Sequence, residues 1–151
     1  MESKDRLRDL DLAAARPFID YPRTPWWYPV FMGWYFSSIA IALLRGSSGN
    51  LVAAAAVFAG AIVAVAAFVR WYRARWGTWP QMTAAPTEIR RAYRDFYVGV
   101  AVAVVLTAVV GLLAPGAVTV AVTFLVFTAL IWAYERRIYP AACAEVRARL
   151  V

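Results

Sequence analysis

The sequence predicts an all-α integral membrane protein. Its four transmembrane helices form two antiparallel hairpins, with short amphipathic cytoplasmic helices at the N- and C-terminal ends. Three observations carry that prediction. The first is composition: 63% of the 151 residues are hydrophobic and 17% charged, against about 45–50% and about 25% in a soluble domain. A chain this short buries too little of its surface to hide so much apolar area from water. The second is segmentation. Residues 26–44, 51–69, 96–114 and 117–134 contain no Asp, Glu, Lys or Arg, and each stretch has 18 or 19 residues. At a rise of 1.5 Å per residue each spans about 28 Å, close to the hydrocarbon thickness of a bilayer. None alternates as a barrel strand would, and backbone groups in lipid then require helices.

The third observation is where the remaining charge lies. Lys and Arg number five in residues 1–25, one in 45–50, six in 70–95, none at Pro115-Gly116 and four after Tyr134. Alternate sides therefore hold fifteen and one, which places both termini and the 70–95 loop in the cytoplasm. All but Lys4 of the sixteen basic residues are arginine. With the abundant Ala, Val and Gly, that bias points to GC-rich codons and a bacterial plasma (inner) membrane. The chain is expected to form a single four-helix transmembrane domain over 1–151.

The N-terminal segment 1–25 lacks the apolar core of a cleaved signal. Leu7, Leu10 and Ala14 recur at helical spacing and Pro17 is expected to end the pattern, giving a short amphipathic helix over 3–16. Gly46-Ser47-Ser48-Gly49-Asn50 and Pro115-Gly116 form the two outer turns. The second span carries Ala56, Gly60 and Ala64, and the third carries Gly99, Ala103, Thr107 and Gly111, all four residues apart. Small residues at that spacing let helices approach closely in lipid, so these seven form a predicted packing seam.

Arg70, Arg73 and Arg75 extend the second helix until Gly77 stops it. A new helix is expected near Thr87, with Arg90, Arg91 and Arg94 beside one another on it. These six arginines are candidate binders of lipid headgroups or another anion, since guanidinium groups match phosphate geometry. The fifteen Trp and Tyr residues sit towards the same side. Trp26, Trp27, Trp34, Tyr35, Trp71, Tyr72, Trp132 and Tyr134 make the main part of an aromatic collar, with Tyr21 and Trp79 in the flanking segments. In the tail 135–151, Pro140 fits the first turn of a last helix and Cys143 reads as a small buried filler.

The sequence holds no histidine and one cysteine, and its four spans have no Asp, Glu, Lys or Arg. That leaves no proton relay within the bilayer and nothing to activate Ser37 or Ser38 as a nucleophile. Asp20, Glu88, Asp95 and Glu135 are all at the basic side, where arginines are the expected partners. No enzymatic activity, cofactor, metal or nucleic-acid partner is expected. The expected role is that of a non-catalytic membrane subunit or scaffold. It would pack against itself or a larger membrane complex, with the arginine and aromatic collar against anionic membrane lipids. The alternative is a small transporter or binder of a hydrophobic or amphiphilic ligand. A third reading is an interfacial lipid-modifying enzyme whose acids would have to converge on a metal.

Overall fold

The computed structural model describes residues 2–20, 24–77, 83 and 85–150, with side chains from Leu10 onward. Tyr21, Arg23, Trp79 and Pro80 lie outside these residues, as do the side chains of Lys4, Arg6, Leu7 and Arg8. The described regular structure is helical, without strands. In chain order the helices are α1 (Glu2–Ile19), α2 (Tyr28–Ser47), α3 (Leu51–Trp76), α4 (Thr87–Leu113), α5 (Gly116–Ala133) and α6 (Tyr139–Leu150), with a π-helical turn at Tyr134–Ile138 joining α5 to α6. Four helical stretches are long and apolar enough to cross a membrane: α2, α3, α4 and the continuous run Gly116–Leu150.

Local chemistry sets the ends of these elements. Pro29 sits in the first turn of α2, where its missing N–H costs nothing. Asn50 caps α3 by accepting a hydrogen bond from the Ala53 N–H at 3.1 Å. Gly49 in the turn and Gly77 at the end of α3 both have φ of +83°, a conformation that glycine adopts without steric cost. Pro115 precedes α5 and breaks the chain between α4 and α5. The π turn has a local cause as well. Pro140 donates no hydrogen bond, and in an unbroken α-helix its ring would press on the carbonyl four residues back. The helix widens just ahead of it instead, with the Tyr139 N–H bonding to the Tyr134 carbonyl.

The long helices pack in the order α3, α2, α5, α4. α2 lies between α3 and α5, and α5 between α2 and α4. Among the described residues α3 makes no substantial contact with α4 or α5, so the four helices form an open row and not a closed ring. Phe36 and Phe127 stack across the α2–α5 interface with centroids 3.9 Å apart. A Cβ on Gly33 would collide with the Thr128 hydroxyl and lie 2.9 Å from the Phe124 carbonyl oxygen, so only glycine permits this approach. Four buried hydroxyls donate to backbone carbonyls: Ser37 to Val120, Ser38 to Trp34, Thr119 to Pro115 and Thr123 to Thr119.

The outward faces of the row are apolar. Leu43, Leu51, Val52, Val63, Val102, Val105, Leu112 and Leu113 are all exposed, Leu112 at 86%. Water would penalise such a surface heavily, whereas lipid does not distinguish it from its own chains.

A compact apolar cluster lies largely outside the four uncharged stretches. Ala15 and Phe18 of α1, Ala85, Ile89 and Ala92 at the start of α4, and Ala142, Cys143, Val146 and Leu150 of α6 bury one another. α6 packs on both α1 and α4. Here α1 differs from its sequence-based expectation in two ways. Its helix runs through Pro17 to Ile19: the proline gives up one N–H bond and crowds the Ala13 carbonyl, but Phe18 and Ile19 gain packing on the α6 cluster by continuing the helix. Its buried face carries Ala15 and Phe18, with Leu12 and Ile19 partly buried, while Leu10 and Ala14 are exposed. The large Phe18 ring fixes that face against α6. Its carbonyl then accepts from the Tyr139 hydroxyl at 2.8 Å, and the Ile19 carbonyl accepts from Arg147 at 3.3 Å. A cation at the C-terminal end of α1 also suits the helix dipole.

Candidate functional site

The aromatic collar divides into two groups. On the α2–α3 side, Trp27, Tyr28, Phe31, Phe68, Trp71, Tyr72 and Trp76 are linked by ring contacts of 4.8–6.0 Å. Phe68 is at their centre and Trp34 joins through Phe31. On the α4–α5 side, Tyr93, Phe96, Tyr97, Tyr134 and Tyr139 form the second group. Trp26 and Trp132 project outward, 77% and 47% exposed, with Arg137 stacked over the Trp132 ring. Tyr35 is half-buried.

The six candidate arginines are all exposed, but the fold does not bring them together. Arg70, Arg73 and Arg75 are on α3, Arg90, Arg91 and Arg94 on α4, at opposite ends of the row. Their immediate partners differ too. Arg94 pairs with the neighbouring Asp95 at 3.1 Å, and Arg75 lies over Trp76. Arg70 and Arg73 instead flank an open groove of about 570 Å³ between α2 and α3, lined by Tyr35, Ile62, Val65, Ala66 and Val69.

The predicted packing seam also divides. On α4 it faces α5: Gly99 lies against Leu130, Ala103 is buried, and Gly111 lies against Thr119. Thr107 donates to the Ala103 carbonyl and so keeps its hydroxyl within its own helix. On α3 the seam faces outward. Ala56 and Gly60 are exposed, Ala64 is half-buried, and a Cβ built on Gly60 would meet nothing within 4 Å.

The four acids go to separate partners and do not converge. Asp20 meets Arg147, Glu88 meets Arg149 and Asp95 meets Arg94. Glu135, one residue past the fourth apolar stretch, accepts a hydrogen bond from the Thr24 hydroxyl at 2.8 Å. Burial pushes its carboxyl above the ordinary carboxylate value, outweighing the Thr24 hydrogen bond and the Arg136 charge. In the sequence Glu135 is one interfacial acid among four. Nothing in its spacing distinguishes it, because the Thr24 hydroxyl that it accepts from lies 111 residues away in the chain.

An acid with a raised folded-state pKa holds more protons folded than unfolded. Stability therefore falls as pH rises from the ordinary carboxylate value through the folded one, and is level above it. Glu135→Gln keeps an acceptor for Thr24 and removes the titration. It is expected to raise the thermal midpoint in detergent at neutral pH and to flatten its dependence on pH below neutrality. Parallel pH curves for the variant and the parent protein would show that this acid does not govern the dependence.

No protein-family model matches the chain, and no curated protein or solved structure matches it significantly.

Proposed function

We propose that the protein is a non-catalytic membrane subunit that associates laterally with itself or with a larger membrane complex. It crosses a bacterial plasma membrane as two antiparallel hairpins with both termini in the cytoplasm, where its arginines and aromatic rings contact anionic lipid. The observation that carries this reading is the outward small-residue face of α3. Ala56 and Gly60 are exposed on a helix whose substantial contacts among the described residues are with α2. Within the chain the same kind of surface is already used for close packing, at Gly33 on α5 and Gly99 on Leu130. A helix with no Cβ at its outermost point can be approached closely by a second helix, and lipid chains fill such a notch poorly.

The test substitutes the notch. Gly60→Leu is expected to leave the folded monomer intact, because nothing surrounds that position. It is expected to shift the protein from complex to monomer during gentle extraction and size-exclusion chromatography, with loss of co-purifying protein. A parent protein that runs as a monodisperse monomer, with nothing retained, would overturn the reading.

A second reading is favoured by the α2–α3 groove. Its apolar wall and two arginines suit an amphiphilic compound, as a small transporter or binder would require. Saturable quenching of tryptophan fluorescence by a soluble lipophilic anion would support it over the subunit reading.

A further inference from the structure

The groove between α2 and α3 joins an apolar wall to two cations. Ile62, Val65, Ala66 and Val69 recur every three or four residues along one face of α3, and Arg70 and Arg73 continue that face. From Ile62 to Arg70 the helix rises about 12 Å. The wall is thus apolar for two turns and then cationic, and Arg70 is the first residue past the apolar stretch 51–69. Tyr35 closes the α2 side. The groove volume of about 570 Å³ falls in the range of sites that hold a small ligand, roughly 300–1,000 Å³.

Neither cation is neutralised by any described residue. Among the described residues, the ion pairs occupy Arg94, Arg147 and Arg149, and no carboxylate lies within pairing distance of Arg70 or Arg73. No hydrogen bond within the protein engages either guanidinium among those residues. Two unneutralised guanidinium groups at the end of an apolar slot match one amphiphile: a phosphate-bearing headgroup joined to an acyl chain. An acyl chain laid on Ile62, Val65, Ala66 and Val69 places its phosphate at Arg70 and Arg73.

We infer that the α2–α3 groove is a discrete site for one anionic phospholipid, with Arg70 and Arg73 holding the headgroup phosphate and α3 holding an acyl chain. This rests on the proposed contact between the basic end and anionic lipid, and narrows it to two of the six arginines. The remaining arginines supply general attraction to the surface.

Native mass spectrometry of the full chain in mild detergent tests it, with phosphatidylglycerol or phosphatidylcholine added. The parent protein is expected to retain one phosphatidylglycerol in preference to phosphatidylcholine. The double variant Arg70→Gln, Arg73→Gln is expected to weaken phosphatidylglycerol binding roughly thirtyfold, from about 1 kcal/mol per cation near an anionic headgroup. Arg70→Lys with Arg73→Lys keeps the charge and should retain most of the binding. Ala66→Trp fills the slot and should release the lipid with both arginines in place. Arg90→Gln with Arg91→Gln is the control and should leave the single bound lipid unchanged. Equal losses from the two glutamine pairs would overturn the groove while leaving a diffuse basic collar. Equal retention of the two lipids by the parent protein would overturn both.

Discussion

Gly33→Leu is expected to be the most damaging single substitution within the spans, destabilising the protein by about 3 kcal/mol or more. The reason is the chemistry of what stands opposite. A new Cβ at this position meets the Thr128 hydroxyl and, at 2.9 Å, the Phe124 backbone carbonyl. A side chain can rotate away, but a helix carbonyl cannot move without its helix. α2 and α5 form the middle of the row, so separating them also strains the Phe36–Phe127 stack. Thermal unfolding in detergent reads the effect directly. Gly33→Ala is expected to be milder, and Thr128→Ala in the same chain should recover part of its loss. The Thr128 hydroxyl has no hydrogen-bond partner among the described residues, so its removal alone forfeits little. A Gly33→Leu protein as stable as Gly60→Leu would mean that α2 and α5 do not approach as described.

Phe18→Ala carries the second large effect, about 3–5 kcal/mol of local stability at the basic end. Phe18 is 2% exposed, and its loss opens a cavity between α1 and α6. The consequence is expected to be local because, among the described residues, the main contacts of α1 are with α6. Cys143 serves as a built-in reporter: it is buried in this cluster, and its thiol lies 3.9 Å from the Phe18 carbonyl. A maleimide should label it slowly in the parent protein and much faster in Phe18→Ala. Unchanged labelling would show that α1 does not cover α6.

Much of this architecture is written in where charge is missing. Four uncharged stretches locate α2, α3, α4 and α5, because a bilayer tolerates few ions along a helix. The neighbour order is less visible. Helices that are apolar nearly all round give no preferred face, so pattern alone cannot pair α2 with α5. Small-residue spacing is informative but does not say which partner it serves. Gly99, Ala103 and Gly111 face α5, whereas Ala56 and Gly60, with the same spacing, face outward. The tightest approach of all, at Gly33, has Ser37 four residues later as its only sequence signal. Both serve α2–α5 contact: Ser37 donates to the Val120 carbonyl. The arginines are legible as charge but not as partners. Only the fold separates Arg94, neutralised by Asp95, from Arg70 and Arg73 beside their groove.

The π turn at Tyr134–Ile138 has a geometric consequence for the whole C-terminal segment. Thr119, Thr123, Phe127 and Ile131 mark the inward face of α5 at four-residue steps. One extra residue in a helix rotates the remainder of that helix by about 100° and lifts it by about 1.5 Å. The turn therefore re-aims α6, so that Cys143, Val146 and Leu150 point at α1 and α4. It works as a fixed phase offset between two coaxial segments that must satisfy different neighbours. A single-residue deletion in 135–138 would remove that offset and leave α6 facing the wrong way. Chain length in this short stretch is consequently constrained more tightly than the identity of its exposed side chains.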